Sequence, residues 1–147
     1  MNVTDLRYQL KKLLWSDELL LILEDVGWND GGCRSLMKAF QIWFDSEDVK
    51  TYQIVKDSSQ WHSEHAFIKI GDWFVDGDGV SSYAQMEYRW LYEEHLPTVI
   101  IRDFDPNTEP DLNGEKPYYV SDEKIHQIVR HLDATFHKEN ILNLLLA

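Results

Sequence analysis

Between residues 4 and 15 the apolar positions Leu6, Leu10, Leu13 and Leu14 recur at the spacing of one helical face. Ser16, followed by Asp17 and Glu18, reads as the start of a second helix that runs through LLLILEDV to a stop at Gly27. WNDGG (28–32) is turn chemistry, and a third helix opens at Cys33. Along it Leu36, Met37, Phe40 and Phe44 stand three or four residues from Cys33 or from one another, so one face is apolar and Cys33 heads it. After the charged break DSEDVK, the β-branched and aromatic content of TYQIVK (51–56) predicts a strand. HAFIKI (65–70) and WFVD (73–76) flank Gly71-Asp72, a hairpin signal because glycine supplies the positive φ of a two-residue turn. Residues 81–95 predict a helix with a serine cap, and PTVIIRDF (97–104) predicts a strand with proline at its harmless start.

DPNTEPDLNGEK (105–116) is a polar loop of a length that is uncommon in compact domains and often functional. YYV (118–120) is expected to rejoin the sheet briefly. Ser121-Asp122-Glu123 then caps a helix carrying Ile125, Ile128, Val129 and Leu132, and ENILNLLL supplies the last one. No repeat, low-complexity tract or linker divides the chain. The expectation is one α+β domain over residues 1–147, with N-terminal helices packed on a small antiparallel sheet and further helices at the C-terminus.

A Gly71-Asp72 turn pairs Ile70 with Trp73 and carries that register down the ladder. His65, Phe67 and Lys69 then share a face with Phe74, Asp76 and Asp78, while Ala66, Ile68, Ile70, Trp73 and Val75 form the other. The second face is wholly apolar and predicts core. The first holds a histidine and two aspartates, which are costly to bury without partners. Asp78 would lie across from His65 and Asp76 diagonal to it, and either could accept the imidazole N–H. Register alone does not choose between them, because Gly77 and Gly79 break the strand there.

Composition narrows the function classes. Apolar residues are 44% and aromatic residues 13%, with six Trp, which suits a folded core. The net charge is −12, from 26 acidic and 14 basic side chains, and opposes a nucleic-acid or anionic-membrane binder. One cysteine excludes an internal disulfide and any multi-cysteine metal site. The charged, amphipathic start MNVTDLRYQLKKLLW is unlike a secretory signal, and no apolar run approaches a membrane span, so a cytoplasmic setting is expected.

In that frame Cys33 has two readings: a small buried core residue, or a nucleophile. A helix start lowers a thiol pKa and offers free N–H groups, including the Cys33 amide, to an oxyanion. Gly31 and Gly32 give room for a sharp turn and a substrate acyl group. His65 is the candidate base and Asp76 the candidate orienter. His62 and His65 with Asp76 and Asp78 could also be read as metal ligands, but the more economical expectation is no metal and no cofactor. His126 and His131, five apart on a helix, read as surface. Trp61, Trp73, Phe74 and Trp90 read as core and cleft wall, and Glu93 and Glu94 as a solvated helix end.

WNDGGC (28–33), with HAFIKIGDWFVDGDG (65–79), resembles the papain-like thiol superfamily, most closely its transglutaminase-like variant and bacterial cell-wall peptidases of papain-like core. The second stretch through DGDGVSS also resembles small bacterial and phage proteins with this cysteine and histidine-to-aspartate order. The resemblance covers about a third of the chain. It implies Cys33 as nucleophile, His65 as base and Asp76, after the apolar strand, as orienter in preference to Asp78. It makes Trp28, Asn29 and Gly32 oxyanion or cleft candidates, and the 105–116 loop a candidate for shaping the cleft. Two departures stand out: Arg34 follows the cysteine where many relatives carry an aromatic or small residue, and no glutamine precedes Cys33 as an oxyanion donor. The implied chemistry is hydrolysis of, or acyl transfer from, an amide, peptide or isopeptide bond through a thioester, on a peptide or protein substrate. The alternative is a non-catalytic binding protein that keeps the fold.

Overall fold

Helix α1 (Val3–Leu14) starts in a capping box, where the Asn2 side chain accepts from the Asp5 amide at 2.8 Å and Asp5 reaches back to the Asn2 amide. Its apolar stripe is buried at Leu6, Leu10 and Leu14. Helix α2 (Asp17–Leu23) follows at once, and it ends at Glu24 in a left-handed φ of 64° rather than running on to Gly27. Helix α3 (Cys33–Phe44) buries Leu36, Met37, Phe40 and Phe44 as its spacing predicts, together with Trp43 on the same side. The computed structural model describes all 147 residues.

Five antiparallel strands lie in the order β4-β3-β2-β1-β5. They are β1 (Lys50–Val55), β2 (His65–Ile70), β3 (Trp73–Asp76), β4 (Gly79–Ser81) and β5 (Ile100–Asp103). The β2–β3 register is the expected one, with Ile70 opposite Trp73, Lys69 opposite Phe74 and Ile68 opposite Val75. Gly71 sits at φ 59° in the turn between them. One sheet face contributes Ala66, Ile68, Ile70, Val75 and Val80 to the main core. There they meet α1, α2, α3 and the C-terminal helices α5 (Asp122–Thr135) and α6 (Lys138–Leu146). Each Leu, Ile or Phe so buried contributes about 1.5–3 kcal/mol of hydrophobic stabilisation.

The opposite face is also covered. Ile54, Phe67 and Phe74 pack with Met86 of α4 (Tyr83–Tyr88) and Trp90 of the π-helical turn Arg89–Glu93 that continues it. A widened turn of this kind is uncommon and often lies beside functional groups. The molecule is thus three-layered α+β, with the sheet between a large helical layer and this small one.

The structure corrects three expectations. Gly77-Asp78 does not end the sheet. It is a two-residue turn into the short strand β4, with Asp76 opposite Gly79, so Asp78 does not lie across from His65. Residues 118–120 do not rejoin the sheet, because the Val120 amide donates to the Ser35 hydroxyl on α3 instead of to a strand. The helix expected over 81–95 starts at Tyr83, where the capping box of Ser82 and Gln85 fixes it, and Ser81 belongs to β4. The long 105–116 loop carries only a 3-10 turn (Pro106–Thr108) and one Leu112–Glu115 bridge. No helix is long and apolar enough to cross a membrane.

Candidate active site

Two tryptophans seat the loop that leads into α3. The Trp15 indole donates to the Gly77 carbonyl at 2.8 Å, and the buried Trp28 indole donates to the Leu14 carbonyl at 2.7 Å. Gly77 must be glycine, since a Cβ there would stand 2.3 Å from the Trp28 Cβ. The loop is therefore locked to the β3–β4 turn, and the start of α3 is fixed against the end of β3. No side chain caps α3, and the Cys33, Arg34 and Ser35 amides make no hydrogen bond. The positive end of the helix dipole thus lies open beside the Cys33 thiol.

Cys33, His65 and Asp76 come together, all three buried: Cys33 is 4% exposed, His65 0% and Asp76 2%. His65 Nε2 and Asp76 Oδ2 are 2.7 Å apart, the diagonal reach that the hairpin register allows. With Nε2 taken, Nδ1 is the ring nitrogen left for the thiol. It has no partner in full hydrogen-bond geometry. Thiol and ring nevertheless act on each other's protonation, the sulfur raising His65 and the ring lowering Cys33. The imidazole stacks on the Trp90 ring at 4.5 Å between centroids and on Phe67 at 5.2 Å. These faces hold the ring plane and favour its cationic form.

The charge states follow from these neighbours. Burial pushes the Cys33 thiol up, but the neighbouring His65 ring, the charges of His65 and Arg34, and the Ala66 amide outweigh it and leave the thiol below its ordinary value. Burial works against a charged His65, yet Asp76 and the Cys33 sulfur raise it to about 9. For Asp76, burial is outweighed by Arg89, His65 and the Asp78 amide, so its carboxyl lies below the usual range. These directions favour the thiolate of Cys33, the imidazolium of His65 and the carboxylate of Asp76.

Neighbours absent from the expected set complete the site. Arg89 contacts Asp76 Oδ2 through Nη2 and Asp78 Oδ2 through Nη1 at 3.2 Å. Asp78 also takes the Asn29 amide at 3.1 Å, and Lys11 is 3.5 Å away, so Asp78 braces Arg89 while Asp76 holds His65. On the other side, Arg34 Nη1 is 4.0 Å from the Cys33 sulfur, and its Nε and Nη2 grip Glu109 at 2.7 and 2.9 Å. Charges therefore alternate through Glu109, Arg34, Cys33, His65, Asp76, Arg89 and Asp78.

The remaining candidates have their donors engaged elsewhere. Trp28 Nε1 goes to Leu14, Asn29 Nδ2 to Asp78, and the Gly32 amide to the Gly27 carbonyl at 2.8 Å. Of the expected oxyanion donors, the Cys33 amide is the one left open. His62 faces Glu109, apart from the His65–Asp76 pair, and no group of three or more His, Cys, Asp and Glu side chains is arranged to hold a metal. Trp90 and Phe74 are buried, whereas Trp61 is exposed and lies under Arg102. One sequence signal for Arg34 existed: a cation in the first turn of a helix opposes the macrodipole and needs a carboxylate partner. Neither Arg89 nor Glu109 carried such a signal. No protein-family model matches the chain, and no curated protein or solved structure matches it.

Proposed function

We propose that the chain is a thiol-dependent acyl-transfer enzyme of papain-like or transglutaminase-like type that cleaves an amide, peptide or isopeptide bond. The observation that carries this reading is His65, held on Asp76 through Nε2, its buried Nδ1 unpartnered and its charge coupled to that of a cysteine at an uncapped helix start. The order of cysteine on a helix, histidine on a strand and aspartate on the next strand supports the same family.

In this chemistry the Cys33 thiolate attacks the carbonyl carbon, and the Cys33 amide receives the developing oxyanion. His65 gives its Nδ1 proton to the departing amine as the C–N bond breaks and the thioester remains. Water then adds to the thioester while His65 takes up a proton, and Cys33 leaves as thiolate; an amine acceptor in place of water gives transfer. Asp76 is a positioning residue that holds the ring and its charge. An acidic chain with one free thiol and no membrane-crossing helix suits the cytoplasm, where the thiol stays reduced.

One observation favours a second reading, a non-catalytic binding protein on the same scaffold: the thiol is only 4% exposed and none of the larger cavities is lined by it. Labelling with electrophiles that trap acyl-accepting thiols, followed by peptide mass analysis, separates the two. Stoichiometric labelling at Cys33 that needs His65 supports the enzyme. A thiol that labels only after denaturation supports the binding protein.

A further inference from the structure

Arg34 is buried against a carboxylate of its own chain. Its side chain is 8% exposed, and its fork meets Glu109, whose side chain is 0% exposed, through two charge-assisted bonds at 2.7 and 2.9 Å. The Ser63 amide donates a third bond to Glu109 Oε2 at 2.6 Å, and Ser63 in turn accepts from Arg34 Nη2 through its carbonyl at 2.9 Å. His62 Nδ1, buried and without a hydrogen-bond partner, stands 4.0 Å from the same oxygen.

This donor set is rigid where it belongs to the body of the protein. Gln53 on β1 donates to the Ser63 hydroxyl at 2.7 Å and accepts from Arg102 at 2.9 Å, and Arg102 also donates to the Ser58 carbonyl at 2.8 Å. Arg34 is fixed by the first turn of α3. The carboxylate, by contrast, comes from a strap: across residues 107–116 every residue but Glu109 is exposed. A fixed set of donors is thus met by a side chain from an otherwise exposed segment. Its distance from the thiol matters, since Arg34 Nη1 lies 4.0 Å from the Cys33 sulfur.

We propose that Arg34, the Ser63 amide and His62 form a carboxylate-binding subsite of the active site, that Glu109 occupies it in the resting protein, and that the substrate bears a carboxylate next to the bond attacked by Cys33. This deepens the acyl-transfer reading and rests on it. Substrate binding exchanges one carboxylate for another, so Arg34 never remains buried and unpaired, and the strap is released as the substrate seats.

Iodoacetate and iodoacetamide test this, because both alkylate the thiolate with loss of iodide and differ in a carboxylate one carbon from the reacting centre. Rate constants are measured in the unaltered protein, in Glu109→Ala and in Arg34→Gln/Glu109→Ala at one pH and ionic strength. The iodoacetate-to-iodoacetamide ratio rises about tenfold in Glu109→Ala and falls back in the double variant, as a charge-assisted contact requires. Propionate at millimolar levels raises the Tm of Glu109→Ala, or restores its folding if the variant is unfolded alone, and leaves the double variant unmoved. An unchanged ratio in a folded Glu109→Ala, or no response to propionate, overturns the subsite. Slow alkylation by both reagents in all three proteins, with propionate still stabilising Glu109→Ala, overturns the nucleophile and keeps the anion pocket.

Discussion

The thiol of Cys33 lies between two clusters of charge that are built differently. On one side His65, Asp76 and Arg89 are attached to two hydrogen-bonded strands and a short helix, and covered by Trp90 and Phe67. On the other, Arg34 is met by Glu109 from a segment that has almost no other buried contact. Both clusters pair buried charges, yet the first is held by the sheet and the second by the pair itself. The first can preserve a geometry, and the second can open.

Breaking the hairpin side has the largest expected effect. Asp76→Ala leaves His65 buried without its carboxylate and Arg89 with Asp78 alone, and should cost about 3–5 kcal/mol in urea denaturation. Glu109→Ala should cost less, about 1–3 kcal/mol, because the freed strap lets water reach Arg34. A larger loss from Glu109→Ala than from Asp76→Ala would reverse the comparison. Hydrogen exchange gives the same contrast without mutation: amides of residues 107–116 should exchange through local opening, while those of β2 require global unfolding. The smallest effect is expected at the rim, where Lys11→Ala removes a half-exposed contact to Asp78 and should change stability by less than about 0.5 kcal/mol.

The pair at the centre has its own pH signature. His65 is held up at about 9 from an ordinary 6.5, so its contribution is full below 6.5 and is lost as pH rises to about 9. Cys33 is lowered from 9.0, so its contribution grows as pH rises towards 9.0. Through that window the two offset each other, since folded and unfolded chains carry one proton on the pair, on different atoms. Cys33→Ala leaves only the falling half, with Asp76 alone holding the imidazolium, so the half is lost over a span that ends below 9. Its stability relative to the unaltered protein should therefore decline as pH rises above 6.5; a constant difference would argue against the ion pair.

The hairpin was legible because its rule is local. A Gly-Asp turn and strict alternation determine which residues face together, and the observed register of Ile70 with Trp73 follows from them. The stripe on α3 was legible for the same reason. Strand β4 was not, because Gly77 and Gly79 read as breakers while in fact bracketing a second tight turn. The π-helical turn that brings Arg89 and Trp90 to the His65–Asp76 pair has no signature in residue periodicity. Glu109 is one of 26 acidic residues, in a loop whose other members are solvated, and only tertiary structure singles it out. Local chemistry thus singled out Cys33, His65 and Asp76 as candidates, whereas the groups that surround them arrive from distant segments.

The most direct test is the pH dependence of Cys33 alkylation by iodoacetamide, in the unaltered protein and in His65→Ala. An activated pair gives a midpoint well below the reference of about 8.5 in the first, and one at or above that reference in the second, where burial acts unopposed by an imidazolium. A midpoint near 8.5 that is the same in both proteins would contradict the coupling of Cys33 to His65, and with it the proposed chemistry.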